Sequence, residues 1–275
     1  MRKRIFTILL ALLMVVSLLP MAAMAAEEKA QIVGGSSYAT LADAITNAAV
    51  GDTVKLLADV TITEQLYIGK AITLDGNGKT ITRTPGGASA EYKAGILVGA
   101  GATIKNLTVS GPNITASGWD GGEFGIKLYQ ASGAVLENVT VKSANAGIQV
   151  NGGSVTFKGT IDVSGNEYGG IELLHKGTLD ISNAILVNKD ETEATPVLWN
   201  DDDKGTITFN KRQTLEKVAV DETKDHYYIA PEPSFFENLF NLIRFKKTTD
   251  DIKTFSIVTL ILEFITNIIN SIFGK

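Results

Sequence analysis

The 275-residue chain contains no cysteine, which rules out a disulfide framework, a lipid-carrying cysteine and a thiol nucleophile together. Nor has it an excess of cationic charge. Lys and Arg number 25 against 30 Asp and Glu, a net charge of -5, so nucleic acid, whose phosphates must be neutralised by Lys and Arg, is not expected as a partner. Between Gly51 and Ala230 no stretch is long enough or suitably patterned for a crossover helix, which excludes an alternating strand-helix layout. Arginine is scarce over that span, occurring only as Arg83 and Arg212.

What is present begins with export. Arg2, Lys3 and Arg4 precede an apolar run from Ile5 to Leu19, then Pro20 and a small-residue end at Ala23-Met24-Ala25. Residues 1–25 therefore read as a secretory signal. Its removal takes the 25 Lys and Arg to 22 and the net charge from -5 to about -8. The remaining chain, about 250 residues, is enough for one elongated domain.

The body of the chain is repetitive. A glycine followed by an inward, outward, inward triplet appears as Gly95-Ile96-Leu97-Val98, Gly125-Ile126-Lys127-Leu128, Gly147-Ile148-Gln149-Val150 and Gly170-Ile171-Glu172-Leu173, with a looser copy at Pro196-Val197-Leu198-Trp199. A second phrase, a glycine before an alternating run, follows each. Its glycines at 69, 101, 133, 153, 177 and 205 are spaced 32, 32, 20, 24 and 28 residues apart. A period in this range marks a repeat architecture, and alternation of period two marks strands. Without crossover helices, each strand must stack on its equivalent in the next repeat, giving parallel sheets around a core. Ile96, Val98, Ile126, Leu128, Ile148, Val150, Ile171 and Leu173 are expected to point inward in rows.

Asn106, Asn138 and Asn183 continue the second phrase at a point where two strands must meet in a bend, and asparagine tolerates the left-handed conformation such a bend needs. With these residues the segment from about Tyr38 to Ile229 resembles the right-handed parallel β-helix family, the pectate-lyase-like superfamily. The resemblance implies an all-β fold, a right-handed parallel β-helix solenoid over residues 51–230. Residues 26–50 then form an N-terminal cap, with an amphipathic helix from Thr40 to Val50 that opens at Thr40, with Asp43 three residues on, and presents Leu41, Ile45 and Ala48 to the core. Asp75-Gly76-Asn77-Gly78 reads as a turn. Two long turns, 83–94 and 110–123, precede first phrases in adjacent repeats and are expected to project on one side.

Pro231-Glu232-Pro233 breaks the pattern. Residues 231–275 are expected to form a linker and an amphipathic helical tail, with Thr259, Glu263, Thr266 and Asn270 in a polar stripe on the last helix. Its apolar stretch from Phe255 to Phe273 approaches spanning length, but the stripe favours a helix lying at an interface or pairing with residues 234–247 and with other copies; the alternative is a cap that packs on the last repeat, whose end also needs covering.

The outward residues of the first phrase, Leu97, Lys127, Gln149, Glu172 and Leu198, form a row, and the resemblance places polysaccharide binding on that face. Around it stand Tyr92, Trp119, Asp120, Glu123, Tyr129, Asn151, His175 and Trp199. Rings stack on sugar faces and amides hydrogen-bond hydroxyls, so this set suits a glycan. The alternative is an ordinary solvated sheet face. Pectate-lyase-like enzymes use an arginine or lysine base with acidic calcium ligands. Here Lys127, with Glu172 or Asp120 and Glu123, is the nearest equivalent. The Asn-Thr-Asp, Gly-His-Gly and Arg-Ile-Lys motifs of the hydrolytic members are missing. Asp201-Asp202-Asp203 reads as a solvated turn, with loose calcium binding as its alternative. The expectation is therefore a secreted, cell-surface, non-catalytic module that binds a polysaccharide or surface glycan, contacts membrane or envelope through its tail and is open to self-association. A polysaccharide lyase and a structural spacer or filament subunit are the competing classes.

Overall fold

The computed structural model describes residues 27–84, 94–112, 124–201 and 203–231. The chain divides into two units, Met1–Ile229 and Ala230–Lys275, and all of the described residues except Ala230 and Pro231 belong to the first. The expected helical tail, its polar stripe, the export segment and the two long turns fall largely outside the described residues.

The described chain is predominantly β-structure in two sheets, one of eleven strands and one of eight. Consecutive strands of the repeats alternate between them. Thr103–Ser110, Ala134–Lys142, Ser154–Asp162 and Thr178–Val187 pair in parallel in the long sheet. Ile96–Val98, Phe124–Tyr129, Ala146–Asn151, Ile171–Leu174 and Leu198–Asn200 pair in parallel in the short sheet. Alternation turns one face of every strand inward, and the inward residues of both sheets join one hydrophobic cluster. Ile96, Val98, Ile126, Leu128, Ile148, Val150, Ile171 and Leu173 are all fully buried there, as their spacing predicts. In-register stacking places Ile126 beside Ile96 and Ile148. Each such side chain withdrawn from water contributes about 1.5–3 kcal/mol.

The glycine that opens each short-sheet strand has a steric cause. A Cβ on Gly147 would sit 2.5 Å from the carbonyl oxygen of Gly170, and one on Gly95 would sit 2.7 Å from that of Gly125. At Gly95 and Gly147 the backbone of the next repeat approaches too closely for a side chain. At the opposite bend, Asn106 and Asn138 adopt φ 52°, in the left-handed region. Asn106 Nδ2 donates to Asp75 Oδ1 at 3.3 Å, and Asn138 Oδ1 accepts from the Thr160 N–H at 3.1 Å. Asn183 departs from the expected set. Its φ is not positive, because the pairing shifts between Thr156 and Lys158 and sets Asn183 beside Lys158, off the bend; its amide donates to Ser182 Oγ at 3.1 Å.

The looser copy is corrected by one residue. Leu198 pairs with Ile171 and is fully buried, while Trp199 pairs with Glu172 and takes the outward place. Val197 occupies the corner where the earlier repeats carry glycine, and a slip of one residue exchanges faces.

Both ends of the stack carry antiparallel strands. Ala30–Ile32 pairs antiparallel with Thr53–Leu56 and with Ser37–Tyr38, a strand the sequence pattern did not reveal. The helix spans Leu41–Asn47, shorter than expected, and buries Leu41, Ala44 and Ile45. Thr40 caps it, accepting from the Asp43 N–H at 3.1 Å. Lys70 Nζ donates to the carbonyls of Thr46 and Ala48 at 2.9 and 2.7 Å, satisfying the open end of the helix from a distant turn. At the other end Asp225–Ile229 pairs antiparallel with Leu198–Asn200 and with Leu215–Ala219. Asp225 anchors this hairpin through Lys217 at 2.9 Å and Lys204 at 3.1 Å. Such strands blunt edges that would otherwise recruit other chains.

Candidate outer-sheet site

Register across the short sheet builds an outward row longer than the repeated phrases reveal. Tyr67 pairs with Leu97, Leu97 with Lys127, Lys127 with Gln149, Gln149 with Glu172, Glu172 with Trp199 and Trp199 with His226. Two residues further along, on the same face, Tyr129 pairs with Asn151 and Asn151 with Leu174. Tyr67 and His226 were missed from sequence because neither follows the glycine that marks the other copies. The alternation of Leu66-Tyr67-Ile68 was the available signal for the first.

This face is not the solvated row that alternation alone implies. Lys127 is 5 % exposed and Gln149 4 % exposed. The side chains stand on strands about 4.8 Å apart and shield one another. Gln149 Nε2 donates to Glu172 Oε2 at 2.6 Å, whereas Gln149 Oε1 and Asn151 Oδ1 are buried with no hydrogen-bond partner among the described residues. Burial pushes the Lys127 ammonium below its ordinary pKa, and the charge of Glu172 partly opposes that shift. Trp199 packs on a small cluster of Ala94, Phe124 and Ala146, separate from the main core, and meets His226 edge-on at 6.5 Å between ring centroids.

Two cavities open on the face. One, of about 620 Å³, is lined by Leu97, Lys127, Tyr129, Gln130, Asn151 and His175. The other, of about 310 Å³, is lined by Tyr168, Glu172, Ala194, Trp199 and Asp201. Gln130 and His175 both hold φ 52°, a left-handed conformation uncommon outside glycine. Sequence reasoning placed His175 near the row but missed Gln130, since nothing in a Gln marks a left-handed bend.

Of the predicted residues, the fold thus brings together Lys127, Tyr129, Gln149, Asn151, Glu172, His175 and Trp199. Tyr92, Trp119, Asp120, Glu123 and Asp202 lie outside the described residues. Leu198 is turned into the core. Asp201 approaches Lys224 at 4.0 Å and Asp203 approaches Lys176 at 3.7 Å. Among the described residues no three His, Asp or Glu are grouped to hold a metal ion. No described helix is long and apolar enough to cross a membrane.

The chain matches no family model, no curated protein and no solved structure.

Proposed function

We propose that the two alternating sheets wind as a right-handed parallel β-helix and that the protein is a secreted, cell-surface module recognising glycans on the outer face of the short sheet. The observation that carries this reading is the combination on one face of half-exposed Tyr129, partly buried Trp199 and the sheltered amides of Gln149 and Asn151, beside two cavities. Aromatic rings offer apolar platforms to sugar rings, and amides match hydroxyls as both donors and acceptors. The tail is assigned the role of holding the module to membrane or envelope, and the activity is binding without turnover. Glycan-array binding by the full-length protein tests this. Binding should disappear in the Lys127→Ala, Gln149→Ala, Glu172→Ala triple variant, and binding that survives it removes this face from the proposal.

One observation favours a second reading, a polysaccharide lyase. An ammonium with a lowered pKa is a better base near neutrality, and Lys127 carries such a shift. Incubation with uronate polysaccharides and calcium separates the two readings. Unsaturated products that vanish in Lys127→Met establish the lyase, and their absence leaves the binding module.

A further inference from the structure

A cavity of about 550 Å³ opens on the long sheet, where its last repeat ends. Thr206–Thr208 pairs in parallel with residues 178–180 and then stops, and the turn that follows is docked by side-chain amides in place of a ladder. Asn210 Nδ2 donates to the Ala184 carbonyl at 2.6 Å, and Asn210 Oδ1 accepts from the Arg212 N–H at 2.8 Å. Gln213 Nε2 donates to the Leu186 carbonyl at 2.6 Å, and Gln213 Oε1 accepts from the Leu186 N–H at 2.8 Å. These bonds fix the backbone that carries Lys211 and Arg212 against the strand Thr178–Val187.

The lining is cationic in a chain whose net charge is -5. Lys211 and Arg212 both line the cavity, and among the described residues no Asp or Glu does. Lys105, Lys204 and Lys217 each have a carboxylate partner, whereas Lys211 and Arg212 join no ion pair among the described residues. The one carboxylate of the adjoining strand, Asp180, accepts from the Ser182 N–H at 2.9 Å, and Lys158, beside Asn183 in the register, adds charge of the same sign. The cavity also has apolar walls, Ile185 at 39 % exposed and Phe209 at 40 %. Tyr227 steadies the Phe209 ring, with 5.3 Å between centroids. A guanidinium forks onto two oxygens and an ammonium adds a point charge, so the pair matches a single oxyanion. An anionic membrane surface is held by a cluster of about four to eight cations, more than this turn supplies.

We infer that this cavity binds a soluble ligand carrying one oxyanion, a phosphate or a carboxylate, on a carbon ring: Arg212 and Lys211 take the oxyanion, and Phe209 and Ile185 take the ring. The site lies on the long sheet, and the glycan reading of the short sheet stands or falls separately.

The test is calorimetric titration of the full-length protein with phenyl phosphate and benzoate, with inorganic phosphate and acetate as their ringless counterparts and phenol as the uncharged one. Phenyl phosphate or benzoate should bind, the tighter of the two naming the oxyanion, and phenol should not. Arg212→Gln and Lys211→Gln should each weaken that binding at least about tenfold and melt with the parent, since both side chains are exposed. Phe209→Ala should remove the advantage of the ring-bearing probe over its ringless counterpart while leaving the binding of the counterpart unchanged, which also shows that the variant is folded. Binding indifferent to both charge substitutions, or lost instead in Lys127→Met, overturns the inference, as does failure of both ring-bearing probes to bind. Retention on vesicles of anionic phospholipid that is lost in the Lys211 and Arg212 variants, with neither ring-bearing probe bound, would make the turn a membrane contact and overturn it as well.

Discussion

The outer faces of the two sheets are built on the same register and end in different states. On the long sheet, Asp75, Lys105, Glu137 and Lys158 pair in sequence along one row, alternating in sign, and Lys158 is exposed. On the short sheet the row through Lys127, Gln149 and Glu172 has its lysine and amide almost fully buried. Alternation decides which way a side chain points, but exposure depends on what stands around it. A row of opposite charges left in water is a solubility device. A row that shelters a lysine and leaves amide oxygens without partners has the character of a site.

What the two faces share is the interior, and the largest effects should be common to both. Ile148→Ala in the short sheet and Leu136→Ala in the long sheet each empty a fully buried position, and each should cost about 2–5 kcal/mol in urea unfolding. Gly147→Ala should cost about 1–3 kcal/mol, because its Cβ meets the Gly170 carbonyl, a backbone atom that cannot swing aside. If Ile148→Ala were nearly neutral while Leu136→Ala was severe, the sheets would not share one core.

Most of the fold was legible in the sequence because its physical causes are local. The glycine before each triplet records a backbone contact, the triplet records alternation, and Asn106 and Asn138 record a left-handed bend. The slip at Leu198 was not legible, since Val197 stands where glycine stood and only pairing with Ile171 fixes which neighbour faces inward. Ala30–Ile32 was hidden because a three-residue strand carries too little alternation to stand out. The candidate site was half legible. Residue types and their common face could be read from Lys127, Gln149 and Glu172, and the alternation of Leu66-Tyr67-Ile68 offered a signal for Tyr67, whereas burial arises from neighbours on other strands, and Gln130 and His226 joined the face through backbone conformation and pairing.

Titration of Lys127 sharpens the contrast between faces. Its folded pKa lies below the unfolded value of 10.5, so between the two values the unfolded chain binds the proton more tightly. Stability therefore rises with pH across that window and is lowest below it, where the buried ammonium is charged. Lys127→Met should remove this dependence, and its advantage over the parent should shrink as pH climbs toward about 10.5. Melting curves at intervals from neutral to alkaline pH measure it. A Lys127→Met variant whose melting temperature runs parallel to that of the parent at every pH would show that the lysine of the short-sheet face is not held in a desolvated place.

The smallest effects belong to the long-sheet row. Lys105 and Asp75 approach to 3.6 Å with both side chains partly exposed, and such a pair contributes about 0–1 kcal/mol and less in high salt. Lys105→Ala should therefore shift the unfolding midpoint barely, and less still as salt rises. Asp75 is held by more than the lysine. Burial raises its pKa, but the Asn77 N–H, the Asn106 amide and Lys105 outweigh that and hold it below the ordinary 3.8. A lowered carboxylate stabilises the fold above its unfolded pKa, and the contribution is lost as pH falls through the folded value. Asp75→Asn should consequently be less stable than the parent at neutral pH and converge with it in acid, well below pH 4. Because Asn77 and Asn106 both bond Asp75 Oδ1 at the bend, the difference should persist at high salt while that of Lys105→Ala vanishes. Equal salt sensitivity in the two variants would mean that the bend is held by the ion pair and not by the hydrogen bonds.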